Sequence, residues 1–250
     1  MRHGNFSSSE IYKLIPTGSR KMTPDELVEH KKNNPKSLKK NIDAGFSQLG
    51  LTYIKQKKQE RRLKRSLSKE HNSRPTSWGT FVESIAFEKL PIDYQLVSQI
   101  RDKHETLPWS GMADIKIPSE GIVGDIKCPY SLESFCDLYE YIETDTLKEN
   151  KPEFYWQLVS NSILSKLPFA ELWIYCPLEK DLEYIREKAQ NIDYGQNKVA
   201  FINWSEDNEL PYIFKDSDYD SMKGFRFEVP IEDIDFLTSR VILATEYLTK

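Results

Sequence analysis

The chain is 250 residues long, with 38% hydrophobic and 30% charged residues and a net charge of −4. That balance suits a globular chain able to bury a sizeable core, as one domain or one domain with an extension, and argues against a disordered or fibrous one. No apolar run approaches the length of a membrane span and no signal-peptide pattern opens the chain, so a cytoplasmic protein is expected.

The charge is unevenly spread. From Arg20 to Arg74 there are 16 Lys/Arg against 6 Asp/Glu, so the remainder of the chain is acidic. Cys128, Cys136 and Cys176 are irregularly spaced, which implies neither a disulfide framework nor a zinc site. Three thiols are also too few for an iron–sulfur cluster of the four-cysteine kind. The four histidines stand alone in the sequence and suggest no constellation.

In chain order, residues 7–15 read as a short helix stopped by Pro16. Residues 16–45 are polar, basic and broken by Pro24, Pro35 and Gly45, and read as loop with short helical pieces. From Phe46 to about Lys69 the apolar spacing predicts a helix under a basic exterior. Its stripe, with Lys57, Lys58, Arg61 and Arg62, is either a solvated face or a surface that tracks phosphates. Helices are predicted near 77–90, 153–167 and 178–190, and strands near 94–100, 111–117, 122–128, 171–177 and 198–204. Gly224 to Pro230 reads as an edge strand, the acidic stretches at 205–209 and 216–220 as hairpin or loop tips, and 231–249 as an amphipathic helix. The division expected is a basic helical extension over 1–75 and a mixed α/β core over 76–250, closed by a C-terminal hairpin and helix.

The chemistry-bearing residues lie in the middle of this order. Asp114 follows Gly111-Met112-Ala113, and eleven residues later comes Asp125-Ile126-Lys127. Residues two apart on a strand share a face, so Asp125 and Lys127 would stand side by side while Ile126 enters the core. Two carboxylates and the Ile126 carbonyl are hard oxygen ligands suited to Mg²⁺. A lysine beside them can orient a water and offset charge on a phosphorane. Asp-x-Lys by itself is a weak signal, since solvated strands often alternate charges. Glu83 falls next to the apolar face of the 77–90 helix, where a carboxylate needs a cation. Gln157 opens the 153–167 helix.

Together these pieces resemble the lambda-exonuclease-like (YqaJ-type) branch of the PD-(D/E)XK nucleases. The matching segments are Trp78-Gly79-x-x-x-Glu83-x-x-Ala86, Asp114, Asp125-Ile126-Lys127-Cys128-Pro129, Tyr155-x-Gln157, and Arg2-His3-Gly4-Asn5-Phe6-Ser7-Ser8-Ser9 at the start. The likeness spans roughly residues 2 to 177, and the remaining third carries no motif. The sequence departs from the pattern at Ala113, where no proline precedes the aspartate, at Ile115 in place of glycine, and at Val159 in place of a second glutamine.

The resemblance implies a restriction-endonuclease-like α/β core and a 5′–3′ exonuclease that degrades duplex DNA from its ends. Glu83, Asp114, Asp125 and the Ile126 carbonyl would hold Mg²⁺, with Mn²⁺ as a substitute. Lys127 and Gln157 would complete the catalytic set, with Tyr155 packing nearby as a DNA contact. Arg2 and Ser9 would grip a terminal 5′-phosphate. A single-strand-annealing partner, a ring-shaped homo-oligomer (a trimer above all) and a phage- or prophage-encoded origin in a bacterial cytoplasm are implied in the same way. Two alternatives stay open: an endonuclease of the same fold, of restriction or junction type, and a DNA-end-binding protein with a degenerate site.

Overall fold

The computed structural model describes residues 3–37, 40–43, 45–67, 73–91, 94, 101–192 and 198–249. The chain starts with β1 (Phe6–Ser7) and a 3-10 helix over Ser8–Leu14. Next come β2 (Ser19–Lys21), α1 (Pro24–Asn33) and β3 (Asn41–Asp43), with β2 and β3 antiparallel. Thr23 and Glu26 form a capping box that starts α1. Two helices follow, α2 (Gln48–Leu63) capped by Ser47 and α3 (Arg74–Lys89) capped by Ser73. Then come β4 (Arg101–Lys103), β5 (Trp109–Met112), β6 (Ile115–Ile117) and β7 (Ile122–Lys127). Helices α4 (Leu132–Glu143), α5 (Leu147–Asn150) and α6 (Pro152–Ser165) lead to β8 (Phe169–Tyr175). The chain closes with α7 (Leu182–Gln190), α8 (Phe201–Trp204), β9 (Met222–Glu228) and α9 (Ile231–Thr249).

The larger sheet has the order β6-β7-β8-β9, antiparallel, parallel and antiparallel in turn. The parallel step needs a crossover, and α4 to α6 supply it. Strand alternation then divides the core. Ala170, Leu172 and Ile174 of β8 pack with α4, α6 and α9. Trp173 and Tyr175 face the other way, with Ile122 and Ile126 of β7 and the apolar sides of α3 and α7. Each fully buried aliphatic or aromatic side chain contributes about 1.5–3 kcal/mol relative to exposure, so both faces are committed. The smaller sheet, β1-β5-β4, joins the N-terminal strand to the middle of the chain. Gly111 is required there, because a Cβ would overlap Ser8 Oγ. Ser8 is buried and bonded to Ser160 of α6 at 2.7 Å, and Ser160 also accepts from Trp109 Nε1 at 2.8 Å.

This is the mixed α/β architecture expected from the sequence, with several local differences. The predicted strand over 111–117 is two strands in different sheets, because the chain turns out of one sheet at Ala113-Asp114. The strand expected over 198–204 is the short helix α8, its Ile202 packed under α7. Short apolar runs do not separate the two readings by periodicity. Residues 95–100 of the strand expected near 94–100 lie outside the described residues. Helix α4 was absent from the sequence expectations, although Phe135, Leu138, Tyr139 and Ile142 give it a clear apolar face. Strand β9 is an edge strand as expected, and its partner is β8.

The N-terminal segment is tied down by one carboxylate. Glu60 of α2 is buried, accepts the Gly4 amide at 3.2 Å and the Leu67 amide at 3.2 Å, and pairs with Lys57 at 3.2 Å. Gly4 has φ +74°, and the Arg61 side chain occupies the space its Cβ would need. Burial alone would raise the Glu60 pKa, but the Leu67 amide, the Lys57 charge and the Gly4 amide outweigh it and hold the carboxyl below its usual range. The folded state thus favours the ionised form. Its contribution is complete above the ordinary carboxylate pKa and is lost as pH falls through the depressed folded value. Glu60→Gln should therefore cost about 1–3 kcal/mol near neutral pH and weaken the acid dependence of stability, read from urea unfolding at neutral and acid pH. Identical midpoints for both proteins would deny Glu60 this role.

Candidate active site

The site begins where the chain changes sheets. The Asp114 amide donates to the Gly124 carbonyl at 3.0 Å, extending the β6–β7 ladder by one residue. The Asp114 Oδ2 atom then accepts the Ile126 amide at 2.9 Å. A side chain thus satisfies a strand amide at the point where the neighbouring backbone leaves. One step beyond the Ile115–Gly124 pair, antiparallel register sets Asp114 opposite Asp125. Like charges directly across a ladder repel.

Asp125 is 2% exposed, and its two oxygens have separate partners. Oδ1 accepts from Gln157 Nε2 at 3.0 Å, and Oδ2 contacts the Lys127 ammonium. Ile126 turns to the opposite face and is buried in the second core. The Lys127 ammonium also lies 5.2 Å from the ring centroid of Phe154. The electrostatics follow from this crowding. Burial first, then the charge of Asp125, its hydrogen bond and the charge of Glu83, push the Asp114 carboxyl up to about 9. Burial alone would lower the Lys127 pKa, but Asp125 and Asp114 outweigh it and raise it. Asp125 pairs with the one ammonium, and Asp114 beside it holds a proton near neutral pH, a place that a further cation could take.

Of these groups, Lys127 and Ile126 line a cleft of about 640 Å³, within the usual range for ligand sites, while Asp125 and Gln157 are buried beside it. Glu83 of α3, Lys127 at the end of β7, and Lys151 and Phe154 at the N-terminal end of α6 all line the cleft. Among the described residues, no three His, Cys, Asp or Glu side chains are gathered tightly enough to grip an ion unaided. The donor set fits a hard divalent ion nonetheless, since Mg²⁺ is commonly held by one or two carboxylates with water and substrate completing the shell. Cys128, beside Lys127, is buried, and burial raises its thiol pKa well above the usual value, so it stays protonated and inert.

Of the residues singled out in the sequence, Asp114, Asp125, Lys127 and Gln157 come together, and Glu83 borders the same cleft. Others are placed differently. Arg2 lies outside the described residues. Ser9 is exposed in the 3-10 helix, its hydroxyl 3.5 Å from Ser7 Oγ. Lys57 is 5% exposed, paired with Glu60 and set 5.2 Å from the Tyr53 ring, so it faces inward rather than along a basic exterior. Arg62 is exposed and Lys58 half-buried. Arg61 donates through Nε to the Gly4 carbonyl at 2.9 Å and lines a small cavity with His3, Asn5 and Lys64. Tyr155 is not a surface contact: its hydroxyl donates to Asp233 at 2.6 Å and its ring stacks on Phe227. Its neighbour Phe154 does line the cleft, as does Tyr130. Spacing carried the signal, because position 154, three before Gln157, shares its helix face, and 155 does not.

The proton on Asp114 gives a test of this geometry. The folded chain without metal keeps a proton that the unfolded chain releases above the ordinary carboxylate pKa. Stability should therefore fall as pH rises from about 4 toward 9 and level off above it. Asp114→Asn keeps an acceptor for the Ile126 amide and removes the repulsion. It should raise metal-free stability near neutral pH by on the order of 1–2 kcal/mol, roughly 2–6 °C in Tm, as calorimetry would show. A lower Tm than wild type would mean that the two carboxylates do not oppose each other.

No family model matches the chain, and no curated protein matches it. Solved structures do. A phage-related exonuclease from Haemophilus somnus 129PT superimposes with a TM-score of 0.59 at 14% identity, over 98% of this chain and 94% of that one. An alkaline exonuclease (LHK-Exo) from Laribacter hongkongensis gives 0.57 at 14% identity, over 99% and 89%. The same enzyme in complex with dAMP gives 0.55, again at 14% identity and over 99% and 89%. The chain therefore shares the fold of a phage-related exonuclease and of an alkaline exonuclease.

Proposed function

We propose that the protein is a Mg²⁺-dependent deoxyribonuclease that degrades duplex DNA from its ends in the 5′ to 3′ direction. The observation that carries this reading is the meeting of Asp114, Asp125, Lys127 and Gln157 at the carboxyl end of β7, beside an open cleft. The fold shared with exonucleases, one of them in complex with dAMP, supports the substrate class and the attack from an end.

Asp114 and Asp125, with the Ile126 carbonyl and Glu83 at the cleft wall, would hold the ion, and Mn²⁺ would serve in its place. When bound, the ion supplies Lewis-acid polarisation of a phosphoryl oxygen and a water of lowered pKa. The chain's own residues do the rest. Gln157 fixes the rotamer of Asp125 through its amide. Lys127, kept charged by its two carboxylate neighbours, offsets the negative charge that grows on the phosphorane and orients the attacking water. Arg2 and Ser9 would bind the terminal 5′-phosphate, the arginine as a bidentate fork. On the same family likeness, the working form is a ring, a trimer above all, acting beside a single-strand-annealing protein in the cytoplasm of a phage-bearing bacterium. No helix among the described residues is long and apolar enough to cross a membrane.

Three substrates test the reading: linear duplexes with 5′-phosphate or 5′-hydroxyl ends, and closed circles. The phosphorylated duplex should be digested roughly ten- to a hundredfold faster than the hydroxyl form, the equivalent of one charge-assisted bond. Circles should resist. Asp125→Asn should abolish cleavage, and Lys127→Ala should lose roughly 10²-fold or more while still binding DNA. Efficient cutting of circles would turn the assignment to an endonuclease, and full activity of Asp125→Asn would remove the nuclease reading.

A further inference from the structure

Phe154 and Gln157 are three residues apart on α6, so their side chains leave one face of the helix. Gln157 reaches Asp125, and Phe154 reaches Lys127. The Lys127 ammonium is thereby flanked by two unlike partners, the Asp125 carboxylate and the face of an aromatic ring. Lysine carries a flexible four-carbon stem, and a single carboxylate contact leaves its direction loosely defined. Asp125 is moreover shared, since Gln157 already holds its other oxygen.

A ring has a different chemistry from a second carboxylate. Its face attracts an ammonium but accepts no proton from it, and it offers no oxygen to a hard divalent ion. It holds the lysine without competing for the proton or the metal. Tyr155 cannot take over, since its hydroxyl is committed to Asp233 and its ring to Phe227. Phe154 and Lys127 both border the cleft.

Resting on the nuclease reading, we propose that Phe154 is a positioning residue whose ring holds the Lys127 ammonium in the orientation that meets the substrate phosphate at the cleft.

Phe154→Leu and Phe154→Met keep apolar bulk and lose the aromatic face, whereas Phe154→Tyr keeps it. With a Mg²⁺-supplied linear duplex, both ring-less variants should lose about tenfold in kcat with KM changed less than about twofold, and Phe154→Tyr should stay within about twofold of wild type. A second readout needs neither metal nor DNA. In ¹³C-lysine-labelled protein, the Lys127 side-chain methylene signals should be shifted upfield by the ring in wild type and Phe154→Tyr. They should return to ordinary lysine positions in the ring-less variants. An unchanged kcat in an active, folded Phe154→Leu or Phe154→Met, an unmoved Lys127 signal, or a loss confined to KM would overturn the positioning role alone. Wild-type protein that cleaves no DNA would overturn the nuclease reading and the role that depends on it.

Discussion

The Asp114 carboxylate is held opposite Asp125 because it completes a strand ladder, and the rest of the site depends on that constraint. Where β6 turns away, the Ile126 amide would be left without an acceptor inside the protein. Asp114 Oδ2 supplies one at 2.9 Å. An unpaired buried amide costs on the order of 1–3 kcal/mol, which favours keeping the Asp114 side chain at this position. Structure and chemistry therefore meet in one bond: the group that closes the sheet is the group whose charge is hardest to accommodate. The Lys127 ammonium relieves that charge only in part, and the proton retained by Asp114 is the consequence.

Helix α6 organises what surrounds this pair. Successive faces of one helix serve separate purposes. Gln157 and Phe154 reach the carboxylate and the lysine. Ser160, a further three residues on, ties the helix to Ser8 and Trp109, and so to the N-terminal strand and the smaller sheet. Tyr155 points to Asp233 at the start of α9, which Lys148 also holds at 2.7 Å. A buried helix with partners on every side has little freedom to shift, so Gln157 and Phe154 are carried on a rigid support.

The legible and illegible parts of the sequence divide along physical lines. Asp125-Ile126-Lys127 could be read because a strand has period two, and an apolar residue between two charged ones fixes which face is which. The link from Asp114 to the Ile126 amide could not, since it depends on a break in a strand that alternation alone predicts to be continuous. Lys57 shows a different obstacle. Tyr53, Lys57 and Glu60 recur at helical spacing on one face, and the charge of Lys57 suggests solvent. Its burial becomes favourable only once Glu60 and the Gly4 amide are known to wait there, 56 residues apart in sequence. The short helix α8 escaped because a four-residue element with three apolar side chains fits either period. Tyr155 entered through the Tyr155-x-Gln157 resemblance, and spacing alone does not show that its hydroxyl is bonded to Asp233 in the interior.

On the proposed reading, the two opposed carboxyl groups keep a proton until a divalent cation replaces it. Isothermal titration of Mn²⁺ into the DNA-free protein near neutral pH, repeated in buffers of different ionisation enthalpy, counts protons released on binding. The geometry predicts binding with release of about one proton, and loss of both in Asp125→Asn. Binding that releases no proton, or that survives Asp125→Asn unchanged, would contradict it.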